Sequence, residues 1–250
     1  GEDIMNREIL SLFLCFFLLI TTQFGCTSSN SDSNTLTPTE TGENTTINNI
    51  SDDGMPTVLN ENYDISILVP GANLYGGTNG LAFDSLDTLY VGTVAGVTIF
   101  NVDTETEESS VFTGAPYGGA DDIVFGPDGR MYWNAFFLGK VFAMNEDGTI
   151  VTLAEGLPGA NALDFNEKGE LYVTQVFFGD ALWKIDTTGK MENRLIAEDL
   201  GGLNGFDFGS DGYIYGPLWF KQQVVKVDPE TGMIAAVVAD GFNTPCAVNF

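Results

Sequence analysis

The chain has no histidine, only nine lysines and arginines against 35 aspartates and glutamates, three cysteines, and no apolar run of the ~20 residues that cross a bilayer. Each shortage closes a class of function. Without imidazole there is no Ser-His-Asp or Cys-His nucleophile system, no histidine general base and no zinc site built on histidine. A formal net charge of −26 is the opposite of what phosphate neutralisation requires, so no nucleic acid is expected as a partner. Cys15 and Cys26 lie near the start, and Cys246 is the single thiol in the remainder. No disulfide can form within that remainder, and Cys246 reads as a small apolar residue rather than an activated nucleophile. What is present is 44% apolar and 12% aromatic residues with 30 glycines, enough for a core and many tight turns. Chemistry is left to carboxylates and amide oxygens.

Met5-Asn6-Arg7-Glu8 precedes Ile9–Ile20, twelve residues of which eleven are apolar, and then Thr-Thr-Gln-Phe-Gly25-Cys26. Such a run fits a cleaved export signal better than a membrane span. The Gly25-Cys26 junction resembles a bacterial lipobox, although Gln23 stands where that pattern prefers an aliphatic residue. Residues 1–25 are therefore expected to be a leader with a lipoprotein signal, and Cys26 the lipidation site tethering the protein to a membrane in the bacterial cell envelope. The open alternatives are an ordinary secretory signal and a short membrane-bound segment. From Cys26 to residue 62 the composition turns to Ser, Thr, Asn, Asp and Glu, and is expected to form a disordered tether. At ~5–6 Å × √n it holds the following domain roughly 30–35 Å from the lipid.

Residues 63–250 repeat. Asn79-Gly-Leu-Ala-Phe83, Asp121-Asp-Ile-Val-Phe125, Asn161-Ala-Leu-Asp-Phe165, Asn204-Gly-Phe-Asp-Phe208 and Cys246-Ala-Val-Asn-Phe250 begin 42, 40, 43 and 42 residues apart. A period of 40–43 residues with short β-rich runs between turns predicts an all-β fold, a β-propeller of four-stranded blades. Each pentapeptide reads as an innermost strand A. A turn such as Gly126-Pro-Asp-Gly129 leads to strand B (Thr88–Val91, Arg130–Trp133, Glu170–Val173, Tyr213–Tyr215). Strand C follows (Val97–Phe100, Lys140–Ala143, Ala181–Ile185, Gln223–Val227), then a shorter strand D such as Ile150–Leu153 or Ile234–Val238. Ile65–Val69 has the position of an outermost strand D. The span amounts to about 4.5 blades, read as part of a six-bladed ring, with seven blades as the alternative.

In a propeller the D-to-A and B-to-C loops share one face, and the residue opening strand A lies nearest the axis. Asn79, Asp121, Asn161 and Asn204 therefore converge there, with Cys246 in the fifth unit. Their oxygens suit a hard divalent cation, calcium first; singly, each could instead cap a turn. The B-to-C loops carry Phe136-Phe137, Phe177-Phe178 and Trp219-Phe220, where the first unit has Val94-Ala-Gly96. They read either as a wall for a ligand with an apolar body or as packing between blades. Asn134 and Gln175 are expected to add polar contacts at the rim. Asp164, Asp207 and Asn249 stand at the fourth position of strand A, where an aliphatic residue is expected. Loops such as Asn145–Gly148 lack the spaced acidic ladder of a calcium loop and read as hairpin turns.

Asn79-Gly-Leu-Ala-Phe83, Asn204-Gly-Phe-Asp-Phe208 and Ala120-Asp-Asp-Ile-Val-Phe-Gly-Pro-Asp-Gly129 resemble the gluconolactonase, regucalcin and paraoxonase superfamily of six-bladed, metal-dependent propellers, over roughly residues 64–250. The resemblance implies an axial divalent ion holding a lactone or ester carbonyl and a water, with a carboxylate accepting the proton. It carries metal-ligand positions onto Asn161 and Asn204, and a neighbouring metal or substrate contact onto Asp121. Asn204 stands where such lactonases have an aspartate, and Asn79 where the family has a glutamate ligand, so Asp121 and Asp122 are the carboxylates left for the catalytic role. The implied activity is hydrolysis of a small lactone or ester by an exported, lipid-anchored protein. The alternative is a non-catalytic propeller binding a ligand, glycan or protein at the cell surface. A lyase on a similar propeller is ranked lowest, because relatives of that kind use a histidine base.

Overall fold

Short runs of β-branched and aromatic residues, punctuated by glycine turns, form sixteen strands and no helix among the described residues. These are residues 66–69 and 76–250 of a computed structural model. The leader, Cys26 and the tether to residue 62 lie outside them. The first sheet is β1 (Thr78–Phe83), β2 (Leu89–Thr93), β3 (Thr98–Val102) and β4 (Ser109–Thr113). The second is β5 (Ala120–Phe125), β6 (Met131–Ala135), β7 (Lys140–Met144) and β8 (Ile150–Glu155). The third is β9 (Ala160–Phe165), β10 (Leu171–Gln175), β11 (Ala181–Ile185) and β12 (Arg194–Glu198). The fourth is β13 (Asp207–Phe208), β14 (Ile214–Leu218), β15 (Gln223–Val227) and β16 (Ile234–Ala239). Each is an antiparallel meander in chain order. The tight A-to-B turns close identically, Gly129, Gly169 and Gly212 each donating back to the residue three before.

The core lies between successive sheets. Tyr90, Ile99, Ile123, Met131, Trp133 and Phe142 fill the space between the first and second. Tyr132, Val141, Leu163, Leu171 and Val173 fill the next, and Tyr172, Leu182, Leu203, Ile214 and Val225 the last. One contact recurs at every junction: the tyrosine of a strand B meets the phenylalanine that ends the next strand A. The pairs Tyr90–Phe125, Tyr132–Phe165, Tyr172–Phe208 and Tyr215–Phe250 have ring centroids 5.6, 5.0, 5.4 and 5.3 Å apart. Such pairs are worth ~0.5–1.5 kcal/mol beyond the area they bury, which explains why the repeat keeps a phenylalanine in fifth place.

Three expected strands differ in the structure. Ser66–Val69 is not a strand, and Ile65 lies outside the described residues. Leu68 and Val69 instead pack against Leu89, Val91 and Val102. Each of the four strands C already pairs with its own strand D, so no described ladder edge awaits this segment. Cys246–Phe250 likewise forms only one parallel bridge, Gly205 to Ala247, because every described strand B already has its strand A. The fourth strand A is also shorter than expected, starting at Asp207 rather than Asn204. Pro217 accepts from the Asn204 N–H at 3.0 Å but has no N–H to return, so the continuous ladder is interrupted there and only the single bridge Leu203–Leu218 lies beyond it.

Candidate functional site

The openings of β1, β5 and β9 share one irregularity. Thr78 pairs with Thr93 and Leu81 with Val91; Ala120 with Ala135 and Ile123 with Trp133; Ala160 with Gln175 and Leu163 with Val173. Strand A thus carries one extra residue in each sheet, a β-bulge at Asn79-Gly80, Asp121-Asp122 and Asn161-Ala162. A bulge takes a side chain out of strict alternation and re-aims it. Here it brings three sheets together: Asn79 Nδ2 donates to Asp121 Oδ1, and Asn161 Nδ2 donates to Asp121 Oδ2 at 2.8 Å. Asn204 holds the equivalent place in the fourth sheet, buried, with its Oδ1 accepting from the Gly205 N–H at 2.8 Å. Cys246 is exposed, and its thiol bonds the Thr244 carbonyl.

Electrostatics mark the same spot. Burial, with the negative charge of Asp122 next, pushes Asp121 up to about 8 against the donation from Asn79. None of these influences is a lysine or arginine. Burial also lifts Asp122 to about 6, opposed by the N–H groups of Leu163 and Ile123, which its carboxylate accepts at 3.0 and 2.9 Å. Asp122 therefore ties the second sheet to the third while lying beside Asp121. A second acidic pair, Asp164 and Asp207, sits further along the inner strands, and burial holds Asp164 up at about 7.

The aromatic loops form a continuous panel. Phe136 lies 5.1 Å from Phe137, 6.2 Å from Phe177 and 5.5 Å from Phe178; Phe177 lies 5.3 Å from Trp219 and 5.8 Å from Phe220. Phe136 is buried, while Phe177 and Phe220 are exposed. Phe177 has φ +70°, a region costly for a bulky residue. The panel and the acidic centre share one face. Gly159, two residues before Asn161, donates to the Phe136 carbonyl at 3.1 Å and accepts from Val176 N–H at 2.8 Å.

Asn134 and Gln175 are not on the rim. Asn134 is fully buried behind the β5 bulge, and Gln175 is buried with its amide donating to Pro158 O at 2.9 Å and its carbonyl accepting from Trp183 Nε1 at 2.7 Å. Asn134 is the fourth residue of β6 and Gln175 the last of β10, strands buried at every position, where a carboxamide must find partners within the protein. Sequence reasoning missed that inward placement, although a lone asparagine in Met-Tyr-Trp-Asn-Ala was a signal for it.

Among the described residues no three Asp, Glu or Cys side chains gather. The centre is instead one carboxylate among carboxamides. That donor chemistry fits a hard cation: all the oxygens are hard ligands, Asn79 and Asn161 each have an oxygen beside the nitrogen given to Asp121, and no lysine or arginine offsets the buried charge.

Among solved structures, the chain is similar to virginiamycin B lyase from Staphylococcus aureus, with TM-score 0.59 and 16% identity over 79% of this chain and 64% of that one. It is similar to a gluconolactonase from Xanthomonas campestris, with TM-score 0.58 and 18% identity over 69% of this chain and 65% of that one. It also resembles a chain of a nidogen/laminin complex, with TM-score 0.59 and 20% identity over 68% and 67%. The fold is a β-propeller. The four sheets are its blades 1 to 4, of the architecture seen in gluconolactonase. The propeller spans about two thirds of the length of the lyase and the gluconolactonase it matches. A variant of that lyase with alanine in place of a histidine is catalytically inactive. No family model and no curated protein matches this sequence.

Proposed function

We propose that this propeller is an exported, lipid-anchored hydrolase of lactones or esters that works with a divalent cation, calcium first. The observation carrying this reading is Asp121, a partly buried carboxylate with both oxygens hydrogen-bonded to carboxamides of neighbouring blades. Asp121, Asn79, Asn161 and Asn204 would hold the cation. When bound, it supplies a Lewis acid for the substrate carbonyl and the attacking water. Asp121, held protonated at neutral pH in the empty site by its value of about 8, would give up that proton to the cation's field and then contribute the one negative charge of the set. Asp122, lifted to about 6, is ionised at neutral pH yet close enough to neutrality for efficient proton exchange, and accepts the proton of the attacking water. The aromatic panel seats the apolar body of the substrate and keeps water away from it. None of these 250 residues is a histidine, so the reading draws on carboxylates and a cation.

The test is calcium titration by calorimetry together with hydrolysis of lactones and aryl esters of increasing alkyl length. Asp121→Asn is expected to abolish calcium binding and lower kcat/KM ~10²–10⁴-fold, while Phe177→Ala raises KM for long-chain substrates only. Turnover unchanged by chelation and by Asp121→Asn would sink the reading. The exposed Phe177 and Phe220, with both Asp121 oxygens already engaged, favour a second reading: cation-free binding of an apolar ligand at the cell surface. Ligand affinity indifferent to chelator, with no turnover, would select it.

A further inference from the structure

We propose that Asn134 is the positioning residue of this site, locking Asp121 of blade 2 and Asn161 of blade 3 into one arrangement. The inference deepens the cation reading and rests on it for its functional consequence. Asn134 Oδ1 accepts from the N–H groups of Asp121 at 3.2 Å and Asp122 at 3.0 Å, the two residues of the bulge. Its Nδ2 donates to the backbone carbonyl of Asn161 at 2.6 Å. The Asn161 side chain in turn donates to Asp121 Oδ2 at 2.8 Å. The three residues thus close a loop of hydrogen bonds, with Asn134 fully buried behind it. A buried carboxamide is tolerated only when its donors and acceptors are matched, and here one side chain satisfies two N–H groups and one carbonyl.

The other blades show that a bulge does not need this residue. In blade 3 the equivalent Thr174 accepts a single N–H, that of Ala162 at 3.1 Å. Blade 1 has Gly92 in that place, with no side chain at all. Blade 4 has Pro217, whose backbone carbonyl accepts from Asn204. The carboxamide that reaches the next blade stands in the blade whose bulge carries two adjacent carboxylates. Its position therefore serves the site and not only the strand.

Asn134→Thr in the full chain copies the Thr174 solution: it keeps an acceptor for the bulge and removes the tie to Asn161. Its melting temperature, read by circular dichroism, is expected to stay within about 4 °C of wild type, a loss of ~1 kcal/mol. The side-chain amide resonances of Asn161, identified by their disappearance in Asn161→Ser, are expected to shift. Affinity for calcium alone is expected to fall ~10–100-fold, as when the partners that orient metal ligands are lost. Asn134→Asp is the isosteric second variant. It presents oxygen to the Asn161 carbonyl unless protonated, so its affinity deficit relative to wild type should be larger at pH 8 than at pH 5. Unmoved Asn161 resonances in both folded variants would overturn the positioning role, whether or not calcium binds. Wild-type protein that binds no calcium overturns the cation reading alone, and the resonances still decide the role of Asn134.

Discussion

Asp164 accepts the Phe165 N–H at 2.7 Å and shares a hydrogen bond with Asp207 of the next blade. Asp207 accepts the N–H groups of Phe208 at 2.7 Å and Phe250 at 2.9 Å. Burial first, then the charge of Asp207, holds Asp164 up at about 7. The folded protein therefore retains a proton that the unfolded chain, with an ordinary carboxyl value near 4, gives up. The stability this contributes is present below pH ~4 and lost as the pH rises through about 7. Asp122 at about 6 and Asp121 at about 8 act in the same direction. Asp164→Asn imitates the protonated state, keeping an oxygen for Phe165 and offering N–H to Asp207, and Asn249 already stands at that position of the repeat. The variant is expected to melt several degrees above wild type at pH 8, at about 2–4 °C per kcal/mol for a chain of this size, and level with it at pH 4. A calorimetric difference independent of pH would refute the shared proton.

At the scale of the element, the D-to-A loop before β9 shows what holds a site residue in place. Gly159 has φ +75°, and a Cβ added there would lie 2.2 Å from the Val176 carbonyl oxygen. Gly159→Ala must break the Val176 hydrogen bond that docks this loop on the next, and is expected to cost more than ~2 kcal/mol by urea denaturation. Gly148→Ala, at φ +81° with open space around it, is the control and should cost only the ~1–2 kcal/mol of the left-handed backbone. Equal losses would show that backbone conformation alone matters. Strands of this kind were legible in the sequence: β11 and β15 fall where the pattern of Ala181–Ile185 and Gln223–Val227 puts them. The bulges were not, because Asn79-Gly80 and Asp121-Asp122 read as ordinary strand openings. Their extra residue shows only in the register against β2 and β6.

For the whole molecule, a net charge of −26 favours solubility and resists compaction through self-repulsion, so ties between blades count. Arg130 provides one, bonding Asp128 at 2.7 Å within its blade and the Thr187 carbonyl of the next at 2.9 Å. The proposed tethering to a membrane depends on Cys26, outside the described residues. Cys26→Ala is expected to abolish fatty-acid labelling and move the protein from the membrane to the soluble fraction of a bacterial host; unchanged fractionation would remove the anchor from the proposal. The amino-acid sequence alone determined the period, the four-stranded unit and the recurring phenylalanine that ends each strand A, because these follow from local pattern and composition. Only the tertiary structure decided which polar groups meet. Asn79, Asp121 and Asn161 touch across about forty residues, and Asn134 lies behind them rather than on the rim, because hydrogen bonds between blades depend on register and bulge geometry that no single repeat contains.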